Sequence, residues 1–103
     1  DKQKAFYGAF KDAGAPVDIS SELAWDPAFI LIDALKKLGP DASAAKIRDY
    51  IAGLKTYAGV NGVYDFEKVP QRGLSVDNAV VTRWNSNTKS WQVVSKATGV
   101  PLP

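Results

Sequence analysis

The stretch Trp25-Asp26-Pro27-Ala28-Phe29-Ile30-Leu31-Ile32-Asp33-Ala34-Leu35 decides how this chain is read. An acid followed by proline is the usual opening of a helix: the acid caps the free N–H groups, and proline fits the first helical position, where no donor is needed. The spacing predicts a helix over 26–38, closed by Gly39-Pro40. A start at Ser21, which places Trp25 and Asp26 inside the first turns, is equally open. The apolar residues Ala28, Phe29, Ile30, Leu31, Ile32, Ala34, Leu35 and Leu38 cover nearly every side. Such a helix needs neighbours on most faces.

Upstream, Ala5, Phe6, Ala9, Phe10 and Ala13 form one stripe at helical spacing, predicting a helix over 2–14 that ends at Gly14 and Pro16. Val17 to Ala24 reads as a connector or short strand. Downstream, Asp41 or Ser43 caps a third helix over 43–54, in which Ile47, Tyr50, Ile51 and Leu54 share a face. After Lys55 the period changes. Asn61-Gly62 is a turn pair, and strands are expected at 63–66, 78–84 and 91–95. The last two flank the polar loop Asn85 to Ser90 and read as an antiparallel hairpin, with Trp84 and Trp91 as a cross-strand aromatic pair. Three helices followed by short strands offer little sheet for the helices to cover, so the expected class is α/β, as part of a larger protein.

Composition narrows the function classes. The 103 residues carry a net charge of +2, with no cysteine, histidine or methionine. That excludes disulfides, thiolate chemistry and Cys/His zinc sites, and removes the usual near-neutral acid–base group. Lysine and arginine are scattered, not gathered on one face, which argues against nucleic acid as a partner. Ala28 to Ile32, the longest dense apolar stretch, is far short of a membrane span. No basic-then-apolar leader opens the chain. Asp65 and Glu67 are two apart on an expected strand and share a face, but no base or metal-ligand spacing accompanies them, so a solvated face is the expectation. Gly59-x-x-Gly62 lacks the Lys-Ser/Thr of a phosphate loop and reads as a turn. The expectation is a non-enzyme, with no catalytic residue, metal or cofactor.

The segments also resemble a known family. Trp25 to Leu35 resembles the "YDA…ll..Al" helix of type I periplasmic solute-binding proteins of ABC importers, the branched-chain amino-acid (Leu/Ile/Val-binding-like) family. Phe6, Tyr7 and Phe10 with Gly14-Ala15-Pro16 are similar to the family helix just before it. Lys46-Ile47-Arg48-Asp49-Tyr50-Ile51 is similar to the next helix, and Gly59-Val60-Asn61-Gly62-Val63-Tyr64-Asp65-Phe66 to the "GvtG.v.Fd" segment. Val80 to Trp84 and Trp91 to Val94 resemble the closing hairpin, with Trp91 at the "gkW" position. The five segments occur in the family's order over nearly the whole chain. Trp25 stands where tyrosine is usual, Pro27 where alanine is usual, and Pro70-Gln71-Arg72-Gly73-Leu74 is similar to a "dHrGl" variant of the family loop.

The resemblance implies the C-terminal part of a two-lobed fold: 1–20 as a second-lobe helix and connector, 21–66 as first-lobe helices and strand, and 67–103 as loop, closing hairpin and tail. It implies a periplasmic ligand-binding component that captures an amino acid, aromatic acid or amide-like solute and delivers it to the permease subunits. A solute sensor of the same fold and a small self-associating interaction module are the alternatives. Taken alone, the chain is expected to self-associate or to pair with the rest of its protein. Trp25 and Asp26 match the family position just past a lobe crossover, which makes them the candidate ligand contacts. An aromatic ring offers a flat apolar wall, and an acid can receive an ammonium group. The plainer reading is that Asp26 caps its helix and Trp25 packs in the core.

Overall fold

The computed structural model describes residues 2–103. Helix α1 spans Lys2–Asp12. It stops two residues before the expected end, where Gly14 adopts a positive φ of 63° and its N–H returns to the Lys11 carbonyl. Helix α2 spans Ile19–Leu38, and its start corrects the expectation. The cap is Asp18, not Asp26. The Asp18 carboxylate accepts from the Ser21 N–H at 2.8 Å, and the Asp18 N–H donates to Ser21 Oγ at 3.0 Å. This reciprocal box satisfies donors that a helix end otherwise leaves free. Residues 19–24 are therefore helical, neither connector nor strand.

Pro27 accordingly lies inside α2. It cannot donate to the Leu23 carbonyl, and proline in a helix interior costs about 3 kcal/mol relative to alanine. The helix nevertheless continues through it. At the far end the Gly39 N–H bonds the Leu35 carbonyl at 2.8 Å, and Lys36 and Lys37 lie in the last turn, where the helix dipole favours cations. Helix α3, Ala44–Ala52, is capped by Ser43, whose hydroxyl accepts from the Lys46 N–H. That resolves the choice between Asp41 and Ser43.

Two small antiparallel sheets follow. Strands β1, Tyr57–Ala58, and β2, Val63–Tyr64, pair with Tyr57 opposite Tyr64 and close over the turn 59–62. Strand β1 was not expected, and β2 is shorter than the 63–66 read from sequence. Strands β3, Thr82–Asn85, and β4, Ser90–Val93, form the expected hairpin with Trp84 opposite Trp91. Their rings meet edge-on at 5.3 Å. Residues 78–81 are not part of β3. Instead Val76–Asn78 makes a 3₁₀ turn capped by the Ser75 hydroxyl. The chain is thus mixed helix and strand, compatible with the α/β class. None of its helices is long and apolar enough to cross a membrane, among the described residues.

Helix α2 buries only the stripe Asp26, Ile30 and Ala34, and leaves Ile19, Leu23, Leu31 and Ile32 exposed. The apolar core is Phe6, Ile30, Ala34, Val60 and Tyr64. The accessible surface is 7623 Å². A compact monomer of 11.1 kDa would expose about 5,700 Å². The radius of gyration is 16.5 Å, against about 13 Å for a compact domain of this length. Roughly 2,000 Å² is therefore left uncovered beyond what a self-contained domain of this mass exposes.

Candidate functional site

Trp25 and Asp26 are neighbours in sequence but serve different faces of α2. Trp25 is half-buried against α1. Its ring lies 5.1 Å from Phe6 in an edge-on arrangement, 6.0 Å from Phe10 and 4.9 Å from Phe29. Phe6 is fully buried and also meets Tyr7 edge-on. The result is an aromatic cluster that joins α1 to α2, with Trp25 at its partly open side. At its margin Lys2 Nζ stands 5.8 Å from the ring centroids of both Phe29 and Tyr57.

Asp26 is 2% exposed and points at the turn between β1 and β2. Its Oδ1 accepts from the Val60 N–H at 2.8 Å. Its Oδ2 accepts from the Asn61 N–H at 2.9 Å, the Asn61 side-chain amide at 3.1 Å and the Tyr64 hydroxyl at 3.0 Å. Four of the protein's own donors thus converge on this carboxylate, three of them on Oδ2. The turn is built to let this happen. A Cβ on Gly59 would lie 2.5 Å from Asp26 Oδ2, so only glycine fits there. The Asn61 amide also donates to the Glu22 carbonyl at 2.9 Å, within the turn of α2 that precedes Pro27. The 59–64 segment is thus tied to α2 at the Glu22 carbonyl and the Asp26 carboxylate, in the turn before Pro27.

The two tyrosines beside this network are held neutral. Burial, and then donation to Asp26, push Tyr64 up to about 12. Burial, and then donation to Asp33 at 3.1 Å, push Tyr57 up to about 12 as well. In each case the charged phenolate would lose solvent and face a carboxylate.

No protein-family model, curated protein or solved structure matches this chain.

The remaining carboxylates do not converge on anything. Asp65 and Glu67 lie just past β2, not on a strand. Asp65 accepts from the Lys68 N–H at 2.9 Å and ion-pairs with its Nζ, while Glu67 pairs with Lys55. Among the described residues no group of three or more potential ligands is placed to hold a metal ion.

Two concave regions flank the network. A cavity of about 580 Å³ lies between α3 and the Pro70 loop, with Ile47, Ile51, Phe66 and Pro70 as its apolar walls. Another, of about 540 Å³, lies between the start of α1 and the end of β1, lined by Lys2, Gln3, Ala5, Ala58 and Gly59. The sequence reading reached Trp25 and Asp26 but missed Gly59, Asn61 and Tyr64 as partners of Asp26. The Asn61-Gly62 pair signalled a turn, yet no local pattern says which distant carboxylate a turn will bind.

Proposed function

We propose that the chain is the C-terminal part of a type I solute-binding protein, the component that captures a small solute and delivers it to an ABC permease. The observation that carries this reading is the ordered set of five segments, from Phe6 to Val94, that resembles that family along nearly the whole chain. The uncovered surface of roughly 2,000 Å² supports it, because a part of a larger fold leaves faces for its remainder to cover. On this reading residues 1–20 belong to the second lobe, 21–66 to the first, and 67–103 form the loop, closing hairpin and tail of a periplasmic protein. Solute contacts made to both lobes drive closure, since only the closed state makes them all. Trp25, on the partly open side of the aromatic cluster, borders the cleft as the flat wall for the solute. Asp26 stands close by and fixes the 59–64 turn beneath it.

The exposed apolar residues of α2 also favour a second reading, a module that pairs with a copy of itself. One experiment separates the two. The intact protein is titrated with amino acids, aromatic acids and amides, and thermal stability and small-angle scattering are read together. One solute class should raise the melting temperature and contract the particle. Trp25→Ala should then weaken that binding about thirtyfold, the scale of a binding hot spot. Unchanged binding with a sharply lower melting temperature would make Trp25 a core residue only. No response to any solute, with stable self-pairing, would favour the module.

A further inference from the structure

Asn61-Gly62 is the one place in the chain where asparagine precedes glycine. An asparagine amide is open to attack by the backbone nitrogen of the residue after it, and glycine, with no side chain, hinders that attack least. Asn78, Asn85 and Asn87 precede alanine, serine and threonine, which shield them better.

The turn depends on both members of this labile pair. Gly62 has a φ of 143°, and a Cβ there would collide with the Asn78 side chain, so no bulkier residue can replace it. Asn61 spends its side-chain amide on α2, donating to the Glu22 carbonyl at 2.9 Å and to Asp26 Oδ2 at 3.1 Å. Its backbone N–H holds the same Asp26 oxygen at 2.9 Å. The Gly59 N–H closes the turn on the Gly62 carbonyl at 2.8 Å. The nitrogen that must depart in a deamidation is therefore the one tied to α2. The amide plane cannot swing onto the Gly62 nitrogen until both of its bonds are broken.

We propose that Asn61 is a deamidation site that the fold keeps shut, and that its conversion is a one-way exit from the native turn. In the reaction the Gly62 nitrogen gives up its proton and its electron pair forms a bond to Asn61 Cγ. The Cγ–Nδ2 bond breaks and Nδ2 leaves as ammonia. Water then adds to the resulting cyclic imide. Opening at Cγ gives aspartate, and opening at the backbone carbonyl gives isoaspartate, whose main chain runs through the side chain. Neither product fits. An aspartate at this position turns two donors into acceptors and sets a second carboxylate against Asp26 and the Glu22 carbonyl, in a half-buried site. Isoaspartate adds a backbone atom to a tight turn and breaks the Gly59–Gly62 closure.

Incubation of the intact protein at mildly alkaline pH, with and without urea, tests it, with peptide mapping that separates asparagine, aspartate and isoaspartate. In urea Asn61 should convert well ahead of Asn87. In the native protein its rate should fall at least about tenfold, as expected when reaction waits on local opening. Asn87, in the exposed 85–90 loop, should change little and serves as the internal reference. Asn61→Asp should melt below Asn61→Ala, because both lose the amide and only the first adds a charge beside Asp26. Conversion of Asn61 as fast in the native protein as in urea, or an Asn61→Asp protein as stable as Asn61→Ala, would each overturn the assignment.

Discussion

The part of the chain up to Tyr64 and the part after it are built on different principles. The first contains every buried hydrophobic side chain of the core, Phe6, Ile30, Ala34, Val60 and Tyr64, together with the buried Asp26. The second buries no hydrophobic residue below the same level of exposure. It is held by the ladder between β3 and β4 and by Ser95, whose hydroxyl accepts from the Val81 N–H at 2.7 Å and donates to the Lys96 carbonyl at 2.8 Å. Trp84, Trp91, Val80, Val81 and Val93 remain substantially exposed on it. An isolated two-stranded hairpin is marginal in water, so this region needs a partner surface in a way that the first does not.

The largest expected effect tests the first region. Asp26→Ala strands two backbone N–H groups, the Asn61 amide and the Tyr64 hydroxyl, and should cost about 3 kcal/mol or more in denaturant unfolding. Asp26→Asn keeps the shape but turns one acceptor into a donor facing donors, so it should cost nearly as much. A loss under about 1 kcal/mol in either would show that the network is incidental to stability. The smaller effect tests the second region. Trp91→Ala removes one cross-strand ring contact and should cost about 1 kcal/mol. By hydrogen exchange the change should be confined to residues near 82–93, leaving protection at Val60 and Asn61 as it was. Loss of protection in both regions together would mean that they unfold as one unit and are not built differently.

The contrast also marks what was legible in the sequence. Helix faces and the hairpin were legible because they depend on local period: Phe6 and Phe10 at helical spacing, Val80 to Trp84 and Trp91 to Val94 as β-branched and aromatic runs. The start of α2 was not. Asp26-Pro27 carries the stronger local cap signal, but the Asp18 and Ser21 box caps the helix about two turns earlier and frees Asp26 for the turn at 59–62. A tertiary use of a carboxylate overrode its local propensity. Strand β1 was missed because two residues leave no alternation to read. Trp25 was legible as an aromatic of interest, whereas its contacts with Phe6 and Phe10 depend on how α1 turns back along α2.

The proposed reading, one part of a larger binder, requires faces of this chain that another surface covers. Exposure of Ile19, Leu23, Leu31 and Ile32 on α2, and of Trp84 and Trp91 on the hairpin, is the physical basis for it. At roughly 25 cal/mol per Å², covering several hundred Å² of such surface contributes several kcal/mol, comparable to the whole stability of a small domain. Sedimentation of the isolated 103-residue chain at micromolar concentration, with a dye that reports apolar surface, tests this most directly. Self-association, or a loosely folded species that binds the dye, is the predicted result. A monodisperse monomer with a cooperative melt and no dye binding would contradict it and identify the chain as a complete domain.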